Sequence, residues 1–454
     1  MKAENVDLLR KYNVPGPRYT SYPTVPYWDD APSKEEWKAI VKDSFLKHSE
    51  EGLSIYIHLP YCEQLCTFCG CNKFITKNHK VEDPYIGAVL KEWDMYVALF
   101  SSKPLIKEIH LGGGTPTFFS SENLKELINT LTSKGVVSDD AEFSIEVHPN
   151  YTSEDQLKTL HEIGFNRISL GIQDFDPKVQ TAINRVQTYE EVERVHRLAL
   201  ELGFDSVNYD LIYGLPFQTK KSIQDTFDLV SGLKPNRIAY YSYAHVPWVS
   251  KVQRLFTDMD LPSGSEKREL YELGRELLEE HGYLEVGMDH FSLPTDKLYI
   301  GFEEKTLHRN FMGYTSNSTK MLIGLGVSSI SDVWYAYGQN DKSIRQYLAQ
   351  IDAGELAIFR GHKLNEEDLI IKQHILNLMR QFETTYSNSE SENVALNGFE
   401  GRLVEMETDG LIERIDNGLT VTHKGRTFVR NICMALDKKL LEKKPETELF
   451  SSTI

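Results

Sequence analysis

Cysteine is scarce in this chain, five residues in 454, and four of the five fall between positions 62 and 71, with Cys433 alone near the other end. A disulfide scaffold is excluded, because bridges between such close neighbours close no useful loop, and clustered free thiols suit a reducing cytosol. Long apolar runs are missing too. No stretch approaches the ~18 apolar residues that a membrane-spanning helix needs. The start, Met-Lys-Ala-Glu-Asn-Val-Asp, lacks the positive-then-apolar layout of a secretory leader. Positive charge is in deficit: 50 Lys and Arg against 67 Asp and Glu give a formal net charge of −17. Nucleic acid and anionic membranes are therefore poor partners, and an anionic substrate would need local cations. The expectation is a cytoplasmic protein.

What cysteine there is carries the most information. Cys62, Cys66 and Cys69 stand in a C-x3-C-x2-C spacing, with Cys71 two residues on. Three thiolates on one short loop can each bind a different iron of a [4Fe–4S] cube, which leaves the fourth iron open for chemistry. Zinc is the alternative, but structural zinc usually takes a second pair of ligands from a distant knuckle, and the chain has none. The spacing resembles the signature of the radical S-adenosylmethionine superfamily, where the open iron holds the methionine end of the nucleotide.

The first half alternates between two patterns. Apolar, β-branched runs at Ser54–Pro60, Ile106–Leu111, Glu142–Val147, Arg167–Ile172, Val207–Tyr213 and Arg237–Ala244 read as strands. Helical periodicity marks Tyr85–Leu99, Glu122–Leu131, Ser153–Ile163, Tyr189–Leu202 and Lys221–Leu233. Repeated strand–helix units predict an α/β fold with a parallel sheet and right-handed crossovers. Six units are too few for a closed eight-stranded barrel, so a partial (β/α)6 barrel is expected. At 454 residues the chain has room for a barrel and a smaller domain.

The unusual residues collect at the ends of these strands. The cysteine loop follows the first and Gly112-Gly113-Gly114-Thr115 the second; Glu146 closes the third, Gln173 the fourth, Asp210 lies in the fifth and Ala244 ends the sixth. Parallel barrels build active sites there, from several strands at once. Glycines let backbone approach a ligand closely. Glu146 is expected to share a face with Ser144 and His148, and a carboxylate inside a barrel needs donors such as ribose hydroxyls. Arg185 and Asp210 read equally well as ligands of a zwitterion or as surface charges.

Five segments together resemble the oxygen-independent coproporphyrinogen III oxidase family: Gly16–Thr24 with Arg18, the cysteine loop ending in Cys71, His110–Thr117, Asn208–Pro216 and His308–Thr315. The resemblance runs from Lys11 to the region of Cys433. It implies that Cys62, Cys66 and Cys69 ligate the cluster while Cys71 does not. It implies two S-adenosylmethionine molecules, one at Tyr56, Phe68, Gly113, Glu146 and Ile330, the other at Gly114, Thr115, Gln173, Arg185, Asp210 and Ala244. Tyr56 and Arg18 are the implied catalytic residues, with Arg18 facing a carboxylate of coproporphyrinogen III. The implied reaction converts two propionates to vinyl groups with loss of CO2, in a monomer served by a low-potential donor such as flavodoxin or ferredoxin. Met312 and His148 depart from the family pattern, which has Gln and Asp there. The rivals are a haem-binding chaperone and a haem-modifying radical methyltransferase; the chaperones lack the Gly16–Thr24 segment and the Cys-Gly-Cys ending.

The resemblance also suggests a division of the chain: 1–45 closing over the site, 46–290 the barrel, 291–360 completing the site, and 361–454 a mainly helical domain. In the second half, Lys267–Glu279 and Glu366–Phe382 read as amphipathic helices, and the polar run Thr384–Asn393 as an exposed loop. Helix Gly398–Thr408, the runs Leu411–Ile415 and Leu419–Thr422 around Asn417-Gly418, and a last helix predict a winged-helix-like shape. Without a strong basic run it reads as a structural lid and not a DNA binder.

Overall fold

The computed structural model describes residues 3–247, 251–386, 396, 398–443, 450 and 453. Six strands lie side by side in chain order, each parallel to the next: β1 (Leu53–Leu59), β2 (Leu105–Gly113), β3 (Val136–Val147), β4 (Arg167–Gln173), β5 (Ser206–Tyr213) and β6 (Arg237–Ser242). Helices α1 (Glu82–Val97), α2 (Ser121–Ser133), α3 (Glu154–Glu162), α4 (Tyr189–Leu202) and α5 (Lys220–Leu233) make the crossovers. Three of them open with reciprocal caps, Ser153 with Gln156, Thr188 with Glu191 and Thr219 with Ser222, which satisfy the free amides of the first turn.

The two faces of this sheet differ in chemistry. Ile55, Ile57, Ile109, Ile145, Ile168, Leu170 and Tyr209, all fully buried, point outward into the main core beneath the helices. The alternate positions point inward and are polar, which is how a period of two divides a strand between core and site.

The sheet is larger than the six expected strands. On one flank β6 pairs antiparallel with β8 (His290–Ser292), which pairs with β7 (Leu284–Val286). On the other, β9 (Leu322–Leu325) runs parallel to β1, with Gly324 opposite Tyr56, and β10 (Ile330–Asp332), β11 (Ala336–Asn340) and β12 (Ile358–Lys363) follow antiparallel. Much of the stretch 291–360 is thus sheet. Glycine hides it in the sequence: a Cβ on Gly324 would meet the backbone of Ile330 at 2.5 Å. A second difference is that β6 stops at Ser242, so Ala244 and His245 lie beyond its end.

Helix α6 (Gly264–Glu280) packs on α5, and the C-terminal part is built on α7 (Glu366–Gln381). There β13 (Glu383–Thr385), α8 (Phe399–Thr408), β14 (Ile412–Ile415), β15 (Gly418–Val421) and α9 (Val429–Leu436) form three antiparallel strands and their covering helices. Thr384, expected in an exposed loop, is buried in β13; positions 387–393 of that loop lie outside the described residues. Tyr19 and Tyr22, from the N-terminal segment, belong to this second core beside Ile371, Leu378, Ile432 and Cys433.

Candidate active site

Strand register stacks the inward residues in rows. Tyr56 pairs with His110, His110 with Ser144 and Ser144 with Arg167; one layer up, Glu146 pairs with Ser169, Ser169 with Asn208 and Asn208 with Arg237. Parallel barrels fill their interiors in such layers, normally with branched apolar side chains. Here the layers are polar, and above them opens a cavity of ≈ 330 Å³.

His110 joins the layers. Its Nδ1 lies 2.6 Å from Ser144 Oγ and its Nε2 lies 3.3 Å from Glu146 Oε1. Burial alone would raise the Glu146 carboxyl, but the hydrogen bond and charge of His110, with the Gly113 amide, hold it below its ordinary value. Gly112 makes the room: a Cβ there would sit 2.9 Å from Glu146 Oε1 and 3.1 Å from the Tyr56 ring. Asp210 faces the opposite condition. Ser169 Oγ and Asn208 Nδ2 each donate to it at 3.0 Å, yet burial and then the Glu146 charge push its carboxyl up to about 6. Two carboxylates in one cavity are thereby set apart, the Glu146 carboxyl held down and the Asp210 carboxyl pushed up.

The cysteine loop crosses the mouth and is pinned from three sides. Thr67 N donates to Ile183 O at 2.9 Å, Asn184 Nδ2 to Leu65 O at 2.7 Å, and the Asn72 carbonyl accepts from His58 Nε2 at 2.7 Å. With that proton on Nε2, His58 Nδ1 accepts from the Tyr56 hydroxyl at 3.0 Å; burial lowers the ring's basicity and keeps it neutral. From below, Gly114 N donates to Leu59 O at 2.8 Å and Thr115 N to Tyr61 O at 2.9 Å. A Cβ on Gly114 would meet the Pro60 carbonyl at 2.6 Å. The glycine run therefore serves close packing under the loop as well as access to a ligand.

Cys62, Cys66 and Cys69 are free thiols on this one cavity, with Cys71 at its exposed edge. Thr115 Oγ1 donates to Cys62 Sγ at 3.4 Å and Arg185 Nη1 to Cys66 Sγ at 3.6 Å. A hydrogen bond from the Cys71 thiol, and after it the charge of Lys73, holds the Cys69 thiol below its ordinary value. Among the described residues no three His, Cys, Asp or Glu are gathered for a single metal ion. A cube demands something else, one thiolate for each of three irons, and this donor set fits it: three soft ligands on a short loop, with donors to two of the sulfurs.

The expected site residues divide. Phe68, Gly113, Gly114, Thr115, Glu146, Gln173, Arg185 and Asp210 line the cavity with the three cysteines; Tyr56, Ala244, Ile330 and Arg18 do not. Tyr56 reaches it through the stacked His110 ring. Ile330 lies on β10, two strands from β1, and Ala244 O accepts from Gln253 Nε2 at 3.3 Å. Gln173 has φ = +71° at a register shift in β4, a costly conformation for a side chain with a Cβ. Arg185 turns its Nε to Gly171 O at 3.0 Å. Of the two departures, Met312 lines the cavity, and His148 lies beside Arg185, where burial and then that charge push it down to about 2.

Several residues escaped the sequence reading. His58 and His110 alternate with apolar residues on strands already recognised, so the period of two that set Ser144 beside Glu146 could have found them. Gln253 could not have been found. It is 1 % exposed in an irregular segment, donates to Phe68 O at 3.2 Å as well as to Ala244 O, and accepts from Val246 N at 2.6 Å.

Comparison with known proteins agrees with this geometry. The family model described as "Radical SAM superfamily" matches residues 56–230. The chain is 39% identical to the oxygen-independent coproporphyrinogen III oxidase of Pseudomonas aeruginosa, covering 96% of each chain. It is 37% identical to the Escherichia coli protein of that name over 100% of both. The solved structure of an Escherichia coli coproporphyrinogen III oxidase, described as a Radical SAM enzyme, superposes with a TM-score of 0.89, covering 95% of this chain and 98% of that one at 37% identity. A likeness that extends through both cores and the cysteine loop between them makes this chain a member of the oxygen-independent coproporphyrinogen III oxidase family, within the radical SAM superfamily.

Proposed function

We propose that the chain decarboxylates two propionate side chains of coproporphyrinogen III oxidatively, without oxygen, to the vinyl groups of protoporphyrinogen IX, a step in haem biosynthesis. When bound, an iron–sulfur cluster and S-adenosylmethionine supply an electron and a hydrogen-abstracting adenosyl radical. The chain's own residues hold, orient and shield. Cys62, Cys66 and Cys69 are the cluster ligands. Glu146, ionised, accepts from the ribose hydroxyls of a first nucleotide with Tyr56, Phe68, Gly113 and Ile330 around it. A second nucleotide lies at Gly114, Thr115, Gln173, Arg185, Asp210 and Ala244. Residues 1–45 close over the mouth and bring Arg18 to a substrate carboxylate. The protein works as a monomer in the cytoplasm, takes electrons from a low-potential donor of the flavodoxin or ferredoxin kind, and has no nucleic-acid or membrane partner.

The observation that carries this reading is that Cys62, Cys66 and Cys69 line one cavity with Glu146 and Asp210, whose protonation tendencies are opposite. Anaerobic reconstitution followed by mass analysis of the products tests it. Two CO2 and two 5′-deoxyadenosines per protoporphyrinogen are expected. One 5′-deoxyadenosine per product overturns the two-nucleotide scheme, and a methylated product overturns the reaction class.

A further inference from the structure

An acidic protein that takes a substrate with four carboxylates must gather cations where that substrate lies. The place where the N-terminal segment crosses the end of β6 gathers four. Arg18 Nη2 donates to Ser242 O at 2.9 Å, and Lys267 Nζ, from α6, donates to the next carbonyl, Tyr243 O, at 2.8 Å. Arg309 donates to Arg18 O at 3.2 Å and Tyr19 O at 3.3 Å, and Arg430 Nε to Pro17 O at 2.8 Å.

These four cations do two different things. Arg309 and Arg430, both buried, hold the backbone of Pro17–Tyr19. Arg18 and Lys267 each donate to one strand-end carbonyl, although a guanidinium has five N–H groups and an ammonium three. Among the described residues, the only carboxylate within 4.0 Å of Arg18, Lys267 or Arg309 is Asp289, 3.9 Å from Arg18 Nη1. The Arg18 side chain keeps 34% of its exposure. The Lys267 stem lies over the backbone of Gly214, where a Cβ would meet its Cε at 2.7 Å, so the ammonium beside the Tyr243 carbonyl is held on a fixed support.

We propose that Lys267 and Arg18 together form the receptor for one substrate carboxylate at the β6 side of the barrel mouth, with Arg309 and Arg430 as positioning residues that seat the Arg18 segment. The inference rests on the porphyrinogen reading above and adds to it a residue on α6. Chemistry favours a carboxylate: two cations of different geometry on adjacent carbonyls present a convergent donor pair, and one distant carboxylate leaves their charge under-compensated. Burial, and then the nearby Arg18 charge, bring the Lys267 ammonium down to about 8, so a bound anion relieves a repulsion already present.

The test uses the reconstituted holoenzyme with coproporphyrin III, the stable tetra-acid, and its tetramethyl ester, with binding followed by fluorescence quenching. The wild-type chain should bind the acid at least ~10-fold more tightly than the ester. Lys267→Met should lose about 10-fold on the acid and nothing on the ester, with S-adenosylmethionine affinity unchanged, and Lys267→Arg should recover most of the loss. Equal affinity of Lys267→Met and wild type for the acid overturns the proposal. Should Lys267→Met fail to fold, the wild-type comparison decides alone, since equal binding of acid and ester excludes charge recognition. Anaerobic turnover by the wild-type chain keeps the two questions apart: no protoporphyrinogen means the reaction is misassigned, whereas turnover with an unaffected variant defeats only the role of Lys267.

Discussion

The rings of Tyr56 and His110 stack 5.9 Å apart at 18°, on paired residues of neighbouring strands. Through this pair the barrel floor is connected from the cysteine loop to the third strand: Asn72 to His58, His58 to Tyr56, Tyr56 to His110, His110 to Glu146. Glu146 is therefore a fixed acceptor at the end of a rigid row, suited to binding and poorly placed to shuttle protons.

Glu146→Gln keeps the size and loses the charge. Affinity for S-adenosylmethionine should fall by about 1.5–3 kcal/mol, the worth of a hydrogen bond to a charged group. Cluster content should stay at the wild-type level. Equilibrium dialysis with iron analysis checks both, and unchanged affinity would give the carboxylate another role.

Alanine at Cys62, Cys66 or Cys69 should each abolish stable iron loading, whereas Cys71→Ala should retain it. Water does not replace a thiolate on a cube. Iron content and visible absorbance of the four variants decide the matter, and full loading of Cys66→Ala would remove it from the ligand set.

The Asp210 carboxyl is raised from 3.8 to about 6, so its ionised form is disfavoured in the folded chain. The cost is absent below pH ~4, grows as pH rises towards 6 and is constant above. Asp210→Asn should then stabilise the protein at pH 7 by up to ~2 kcal/mol, discounted for partial exposure, and by nothing at pH 4. Binding of the second nucleotide should weaken at the same time. Urea unfolding at the two pH values measures the first effect, and a destabilised variant at pH 7 would show that the hydrogen bonds of Ser169 and Asn208 outweigh the burial.

Glycines 114 and 70 make a sharp contrast. A Cβ on Gly114 would meet backbone at 2.6 Å, while one on Gly70 meets nothing within 4 Å. Gly114→Ala should cost ~1–3 kcal/mol and lower iron loading. Gly70→Ala should change neither, although it stands between two cysteines. Thermal melts of the two variants side by side test the pair.

Gln253→Leu leaves the Phe68 and Ala244 carbonyls and the Val246 amide without their side-chain partner. Stability should drop by about 2–3 kcal/mol. A larger relative loss is expected in S-adenosylmethionine binding than in iron content, because Phe68 and Ala244 are proposed nucleotide contacts and neither is a proposed cluster ligand. Proportional loss of both would mark Gln253 as structural only.

Much of this was legible because the first half of the chain obeys one rule. Strands with apolar outward faces and polar inward positions announce a parallel barrel, and their ends announce the site. Helix Tyr189–Leu202 lies where its periodicity placed it, and Thr188 caps it. Legibility failed where the determinant was not periodic. Strand β9 has no alternating pattern to mark it, since two of the residues at its end, Gly324 and Gly326, are small to let β10 and the His58 backbone approach. Gln253 acts through three backbone atoms that sequence cannot bring together. Lys267 reads as one more charge on an amphipathic helix, and only its seat over Gly214 distinguishes it.

The Arg18 segment is clasped by Arg430, and Val14 N donates to Thr453 Oγ1 at 3.3 Å while Asn431 Nδ2 donates to Tyr12 O at 2.8 Å. Residues 12–18 are thus held by residues more than 400 positions further along the chain. Ser242 and Arg309, which also hold the Arg18 segment, precede α9 in the chain, so a growing chain that folds from the N-terminus onward meets those holds first and the Arg430 clasp only once α9 has emerged. The strap is thus seated in two stages, first by the barrel rim and last by the C-terminal helix.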